Sequence, residues 1–175
     1  MDRFARSATN IIAAVTALAW LAAVLLGQSQ QAAFSLGFIP ARLSGADVPW
    51  AAVPAILTPL TATLVHSGLI HLGFNLLIFV WCGTQVERVL GKTGLILLYL
   101  IGAYAAALAQ WATDPAGIVP MVGASGAISA VIGAFALSFG RAKRITSSRR
   151  PSASCLSDRS PIAPPPPRKR RPGRE

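Results

Sequence analysis

Four apolar runs, each close to the thickness of a lipid bilayer, leave this chain few ways to fold. They cover about residues 11–27, 68–83, 94–111 and 124–140. Each holds about 16–18 residues, or about 24–27 Å of helix at about 1.5 Å per residue. That is slightly short of a hydrocarbon core of about 30 Å. One such run fits a buried core helix, but four in succession argue for a multi-span protein. Lipid offers no water to the backbone, so each span must satisfy its own amides, and a helix does this. The apolar share of 53% exceeds the 45–50% usual for soluble domains. The expected fold class is therefore all-α, a polytopic membrane helix bundle with four transmembrane helices. The first run, following Arg3 and Arg6, also has the outline of a signal peptide. Gln28-Ser29-Gln30-Gln31 is a poor small-residue cleavage site, so a retained span is preferred.

Charge sets the orientation. Of the 16 Lys and Arg residues, only Arg3, Arg6, Arg42, Arg88 and Lys92 precede Arg141. With the N-terminus inside, the loop carrying Arg88 and Lys92 is inside, and so is everything after the fourth run. Among the outer segments only Arg42 departs from the positive-inside pattern. Both termini are expected in the cytoplasm, in a multi-pass protein of a bacterial inner membrane. Trp81 and Trp111 fall near the ends of their runs, where interfacial anchors sit. The long outer segment, residues 28–67, contains Pro40, Pro49, Pro54 and Pro59 and many apolar residues. It is expected to lie partly in the membrane interface.

The chain divides into a membrane domain, residues 1–144, and a basic tail, residues 145–175. The tail runs through Pro164–Pro167 into Arg168-Lys169-Arg170-Arg171 and has too little apolar content to fold, so disorder is expected. Its abrupt change of character resembles the product of a shifted reading frame. A basic tail also suits anionic lipid or nucleic acid, but the apolar body favours a membrane surface, and no nucleic-acid partner is expected. Cys82 reads as a small buried hydrophobe, and nothing in the pattern calls for a disulfide, a metal or a cofactor.

Polar residues inside spans are costly and mark function. His66, His71 and Asn75 stand around the start of the second run, and Gly123-Ala124-Ser125-Gly126 at the start of the fourth. His71 and Asn75 are four apart and share a helix face. Both runs travel from outside to inside, so the two polar groups stand at one depth. Taken singly, His66 fits an interfacial residue, Asn75 an interhelical hydrogen bond, and the Gly/Ala/Ser turn close helix packing. Their joint occurrence at one level suits acyl transfer. Ser125 is the candidate nucleophile. Amides at a helix N-terminus favour negative charge, and His71 and Asn75 offer side-chain donors to an oxyanion.

The order His66, His71, Asn75, then Gly123-Ala124-Ser125-Gly126, resembles the rhomboid family of intramembrane serine proteases, with Glu87 and Gly91 resembling that family's inner-loop pair. The resemblance spans about residues 10–143. It implies a rhomboid-like six-helix core, of which this chain holds four spans. It makes Ser125 the nucleophile, with His71 and Asn75 stabilising the oxyanion and Gly123 and Gly126 shaping the loop. His66 would support the same region, and Glu87 would be structural. It implies transmembrane protein substrates within the lipid bilayer. The family's base is a His on its sixth span, yet no His follows His71 and no apolar run follows Gly140. Ser129 replaces a frequent aromatic residue one turn after the nucleophile, and Ala51 follows Trp50 where many members have Arg. The chain as written is therefore expected to be nearly inactive. The alternative function is non-catalytic binding of client transmembrane helices. A soluble Gly-x-Ser-x-Gly hydrolase would need a strand before Gly123 and a large sheet.

Overall fold

The structure, a computed structural model, describes residues 7–148, with side chains described as far as Gly140. Arg3, Arg6, Cys155 and the basic tail from residue 149 onward lie outside the described residues. Six α-helices follow in order: α1 (Ala8–Leu25), α2 (Ser29–Leu36), α3 (Pro40–Leu43), α4 (Thr58–Thr61), α5 (Leu69–Thr113) and α6 (Ser125–Ser148). Single 3-10 turns, Ala55–Leu57 and Ala62–Leu64, flank α4. Among the described residues there is no strand, only one isolated antiparallel pair, Phe38 with Met121. The fold is all-α.

α5 is two limbs rather than one rod. Gly91 takes φ 71 and ψ 174, a backbone state open to glycine and strained for other residues. A straight helix would hold Phe79 and Tyr99 about 30 Å apart at about 1.5 Å per residue. Their ring centroids are 5.3 Å apart, so the chain folds back at Gly91. The limbs are residues 69–90 and 92–113. The apolar runs stop at Gly83 and restart at Gly94, but the helix continues between them. Thr84, Gln85, Glu87 and Arg88 are compatible with helix; their polarity marks the exit from lipid, not the end of backbone hydrogen bonding. At the other end of the chain, α6 likewise runs on to Ser148, past the end of its apolar run at Gly140.

The first and last helices pack on these limbs. α1 begins beside Glu87, whose carboxylate accepts hydrogen bonds from Ser7 Oγ, the Ala8 and Thr9 amides and Thr9 Oγ1, at 2.7–2.9 Å. Its far end shares a cavity lining with His66, so α1 runs antiparallel to limb 69–90. Trp81 meets Phe135 at 5.3 Å, which makes α6 parallel to that limb. The core joins Ala8, Phe79, Val86, Leu95, Tyr99, Ala103, Ala127 and Val131. Cys82 is buried in the same core with a free thiol. Outward positions such as Leu18, Leu25, Ile70, Leu77, Ile101 and Leu137 stay 64–78% exposed. Apolar side chains turned outward along four passes are what a bilayer solvates.

The segment of residues 28–67 is folded rather than loose. Phe38 and Met121 exchange both backbone hydrogen bonds, at 3.0 and 2.7 Å, and the Ala41 amide donates to the Gly117 carbonyl. Trp111 Nε1 donates to Ser44 Oγ, and Tyr104 donates to the Ile56 carbonyl. The segment is thereby tied to the end of limb 92–113 and to the turn that leads into α6.

Candidate active site

The turn before α6 is shaped from outside the membrane helices. Its Gly123 amide donates to the Ala62 carbonyl at 2.9 Å. Gly123 itself has φ 108, so a side chain there would be strained in backbone and also in space. A Cβ on Gly123 would lie 2.8 Å from both Cε1 and Nε2 of His71. The His71 ring thus lies with one edge directly against the turn that carries Ser125.

His66 occupies the next position in the same cluster. It follows the 3-10 turn at Ala62–Leu64 and is 3% exposed. Its Nε2 accepts from the Ala124 amide at 3.5 Å, a long contact. Its Nδ1 is buried without a well-formed hydrogen bond, although the backbone of Leu64 lies close enough to favour the protonated ring. Burial, and secondarily the nearby His71, lower its pKa from 6.5 to about 4 against that opposing backbone contact. His66 is therefore neutral at neutral pH, as an acceptor from an amide must be. The two imidazoles meet edge to face, with centroids 5.0 Å apart and planes at 63°.

The other residues sit as follows. His71 is in the first turns of α5, with Nδ1 3.0 Å from Ser67 Oγ. Among the described residues, no hydrogen bond reaches its Nε2. Asn75 is buried, and its Nδ2 donates to the His71 carbonyl of its own helix at 2.9 Å. That uses one of its two N–H groups. Ser125 opens α6 and is exposed; its carbonyl accepts from Ser129 Oγ. Glu87 lies at the opposite end of limb 69–90, capping α1.

Gly126 has a different neighbour from the one its loop position suggests. A Cβ there would collide with the Ala106 Cβ, and a Cβ on Gly102 would come within 3.0 Å of Ala127. The close helix crossing beside the serine turn is thus between α6 and limb 92–113. Small residues at i and i+4 on both helices permit it. Limb 69–90 meets the turn instead through His71, with His66 in the segment just before it. Ser67, Ala62 and the Phe38–Met121 pair belong to the site and were not singled out from sequence. Only Ser67 carried a signal, its spacing of four before His71.

Known proteins match the same region. The Rhomboid domain family model covers residues 54–156, more than half of the chain. The Rhomboid protease GluP of Bacillus subtilis (strain 168) is 39% identical over 75 residues, which are 43% of this chain and 14% of that protein. The human Rhomboid-related protein 3 (Homo sapiens) is 36% identical over 75 residues, 43% of this chain and 18% of that protein. The matched stretch is thus less than a fifth of either relative's length. No solved structure matches significantly. With a family model laid over the limbs of α5, the serine turn and α6, this chain is an integral membrane protein of the rhomboid family.

Proposed function

We propose that the chain carries the nucleophile and oxyanion half of an intramembrane serine protease acting on transmembrane protein substrates. The observation that supports it most is the edge of His71 lying against Gly123, two residues before Ser125. In this reading Ser125 Oγ attacks the scissile carbonyl, and negative charge develops on the carbonyl oxygen. The Ser125 amide, at the N-terminus of α6, favours that charge. His71 Nε2–H and the remaining Asn75 N–H are the side-chain donors. Gly123 keeps the approach open, and Gly126 lets α6 settle close to limb 92–113. His66 braces the Ala124 amide, and Glu87 is structural. The charge pattern supports cytoplasmic termini, in a bacterial inner membrane, with the site near the outer face.

A serine hydroxyl also needs a base. The sequence contains two histidines, and both stand on the oxyanion side. These 175 residues by themselves are therefore proposed to retain only oxyanion and binding catalysis, about 10³–10⁴ over water. That shortfall favours a second reading, in which the chain holds client helices without cutting them. The experiment uses the full chain in detergent with a generic transmembrane substrate and a fluorophosphonate probe, beside Ser125→Ala. Slow probe labelling that disappears in Ser125→Ala, without substrate turnover near about 1 s⁻¹, is expected. Labelling equal in the two proteins would overturn the nucleophile assignment, and fast serine-dependent cleavage would overturn the missing base.

A further inference from the structure

We infer that Ser67 is a positioning residue for His71: its hydroxyl donates to Nδ1 and so keeps the imidazole proton on Nε2, the edge facing the serine turn. The inference rests on reading His71 as the oxyanion donor. The two ring edges have different neighbours. Nδ1 is 3.0 Å from Ser67 Oγ. Nε2 and Cε1 are the ring atoms nearest the position a Cβ on Gly123 would take, with Nδ1 more than an ångström further away. A neutral imidazole has one N–H and one lone pair, and the partner of one nitrogen decides the state of the other.

The direction of the Ser67 bond therefore selects the chemistry at the turn. If Ser67 donates, Nε2 carries hydrogen and can bind an oxyanion. If Ser67 accepts, Nε2 presents a lone pair and can act only as a base. Two observations favour donation. Ser67 is exposed, so water satisfies its oxygen lone pairs and leaves its proton for Nδ1. The Nε2–H form is also the intrinsically preferred tautomer of a histidine side chain. Among the described residues no other hydrogen bond reaches the ring, and His66 meets it edge to face at 5.0 Å. Ser67 reaches Nδ1 from four residues upstream, across the extended Gly68 that precedes α5.

The test is nuclear magnetic resonance on the full chain in detergent micelles, with the imidazole nitrogens isotopically labelled. Only two histidines are present, and His66→Gln assigns them. His71 is expected in the Nε2–H form. Ser67→Ala should lower the ratio of Nε2–H to Nδ1–H about five-fold, the equivalent of one ordinary net hydrogen bond of about 1 kcal/mol. Ser67→Thr, which keeps the hydroxyl, should preserve the original ratio. A His71 protonated on Nδ1, or a ratio unchanged in Ser67→Ala, would overturn the assignment of Ser67. Fluorophosphonate labelling of Ser125 in the same preparations separates the two ideas. Its failure would remove the protease reading, whereas failure of the tautomer measurement removes only the role of Ser67.

Discussion

Glu87 caps a helix that begins nearly eighty residues before it: one of its carboxylate oxygens accepts both the amide and the hydroxyl of Thr9, at 2.9 and 2.7 Å. The first amides of any helix lack intrahelical partners, and in α1 a carboxylate from another pass satisfies two of them. Removing it exposes those donors in a partly buried place. Glu87→Ala should destabilise the bundle by about 2–4 kcal/mol, given about 1 kcal/mol net per hydrogen bond and more for charged acceptors. Glu87→Gln keeps one acceptor oxygen and should lose about half as much. Thermal unfolding in detergent checks both; an unchanged midpoint in Glu87→Ala would contradict the capping role.

Gly126 and Ala106 should behave as a coupled pair. Gly126→Ala puts a methyl into the Ala106 methyl, and overpacking of this kind costs about 1–3 kcal/mol. Ala106→Gly should recover much of that loss in the double variant. A double-mutant cycle with no coupling would mean that α6 does not cross limb 92–113 at this point.

Acid should loosen the serine turn through His66. Its pKa falls from 6.5 to about 4 on folding, so the unfolded chain binds the proton more readily. Its contribution is present above about pH 6.5 and is lost as pH drops through about 4. A shift of that size corresponds to at most about 3 kcal/mol. The slope of stability between pH 6.5 and 4 should shrink in His66→Gln. An identical slope in that variant would assign the acid sensitivity to other groups.

Topology has a direct readout. A reporter fused after Asp114 should register the outer side, and one fused after Arg144 the cytoplasm. The reverse result would invert every pass.

Much of this architecture was legible in the residues. The four apolar runs carry the all-α membrane bundle, and the polar residues opening the second and fourth runs point to one end of it. Helix limits were less so, because hydropathy reports the edge of lipid while backbone hydrogen bonds continue through Thr84 to Leu90. The neighbour of Gly126 was hidden for another reason. A small residue announces close approach, but its partner, Ala106, lies on a different pass and depends on how the limbs rotate. Asn75 shows the same limit: spacing puts it on the face of His71, yet only the structure reveals that one of its N–H groups is spent on its own helix.

The Phe38–Met121 pair has a consequence for how the protein matures in the bilayer. His66, Ser67 and His71 are close in the chain and can assemble as soon as the second pass inserts. Met121 can reach Phe38 only after limb 92–113 has crossed back, and closing so long a loop is entropically slow and late. The turn that carries Ser125 is then fastened last, so a partly inserted chain carries its histidines in place while that turn is still unshaped. A cysteine pair at positions 38 and 121, crosslinked during synthesis, should form only once limb 92–113 has crossed back; earlier crosslinking would reverse that order.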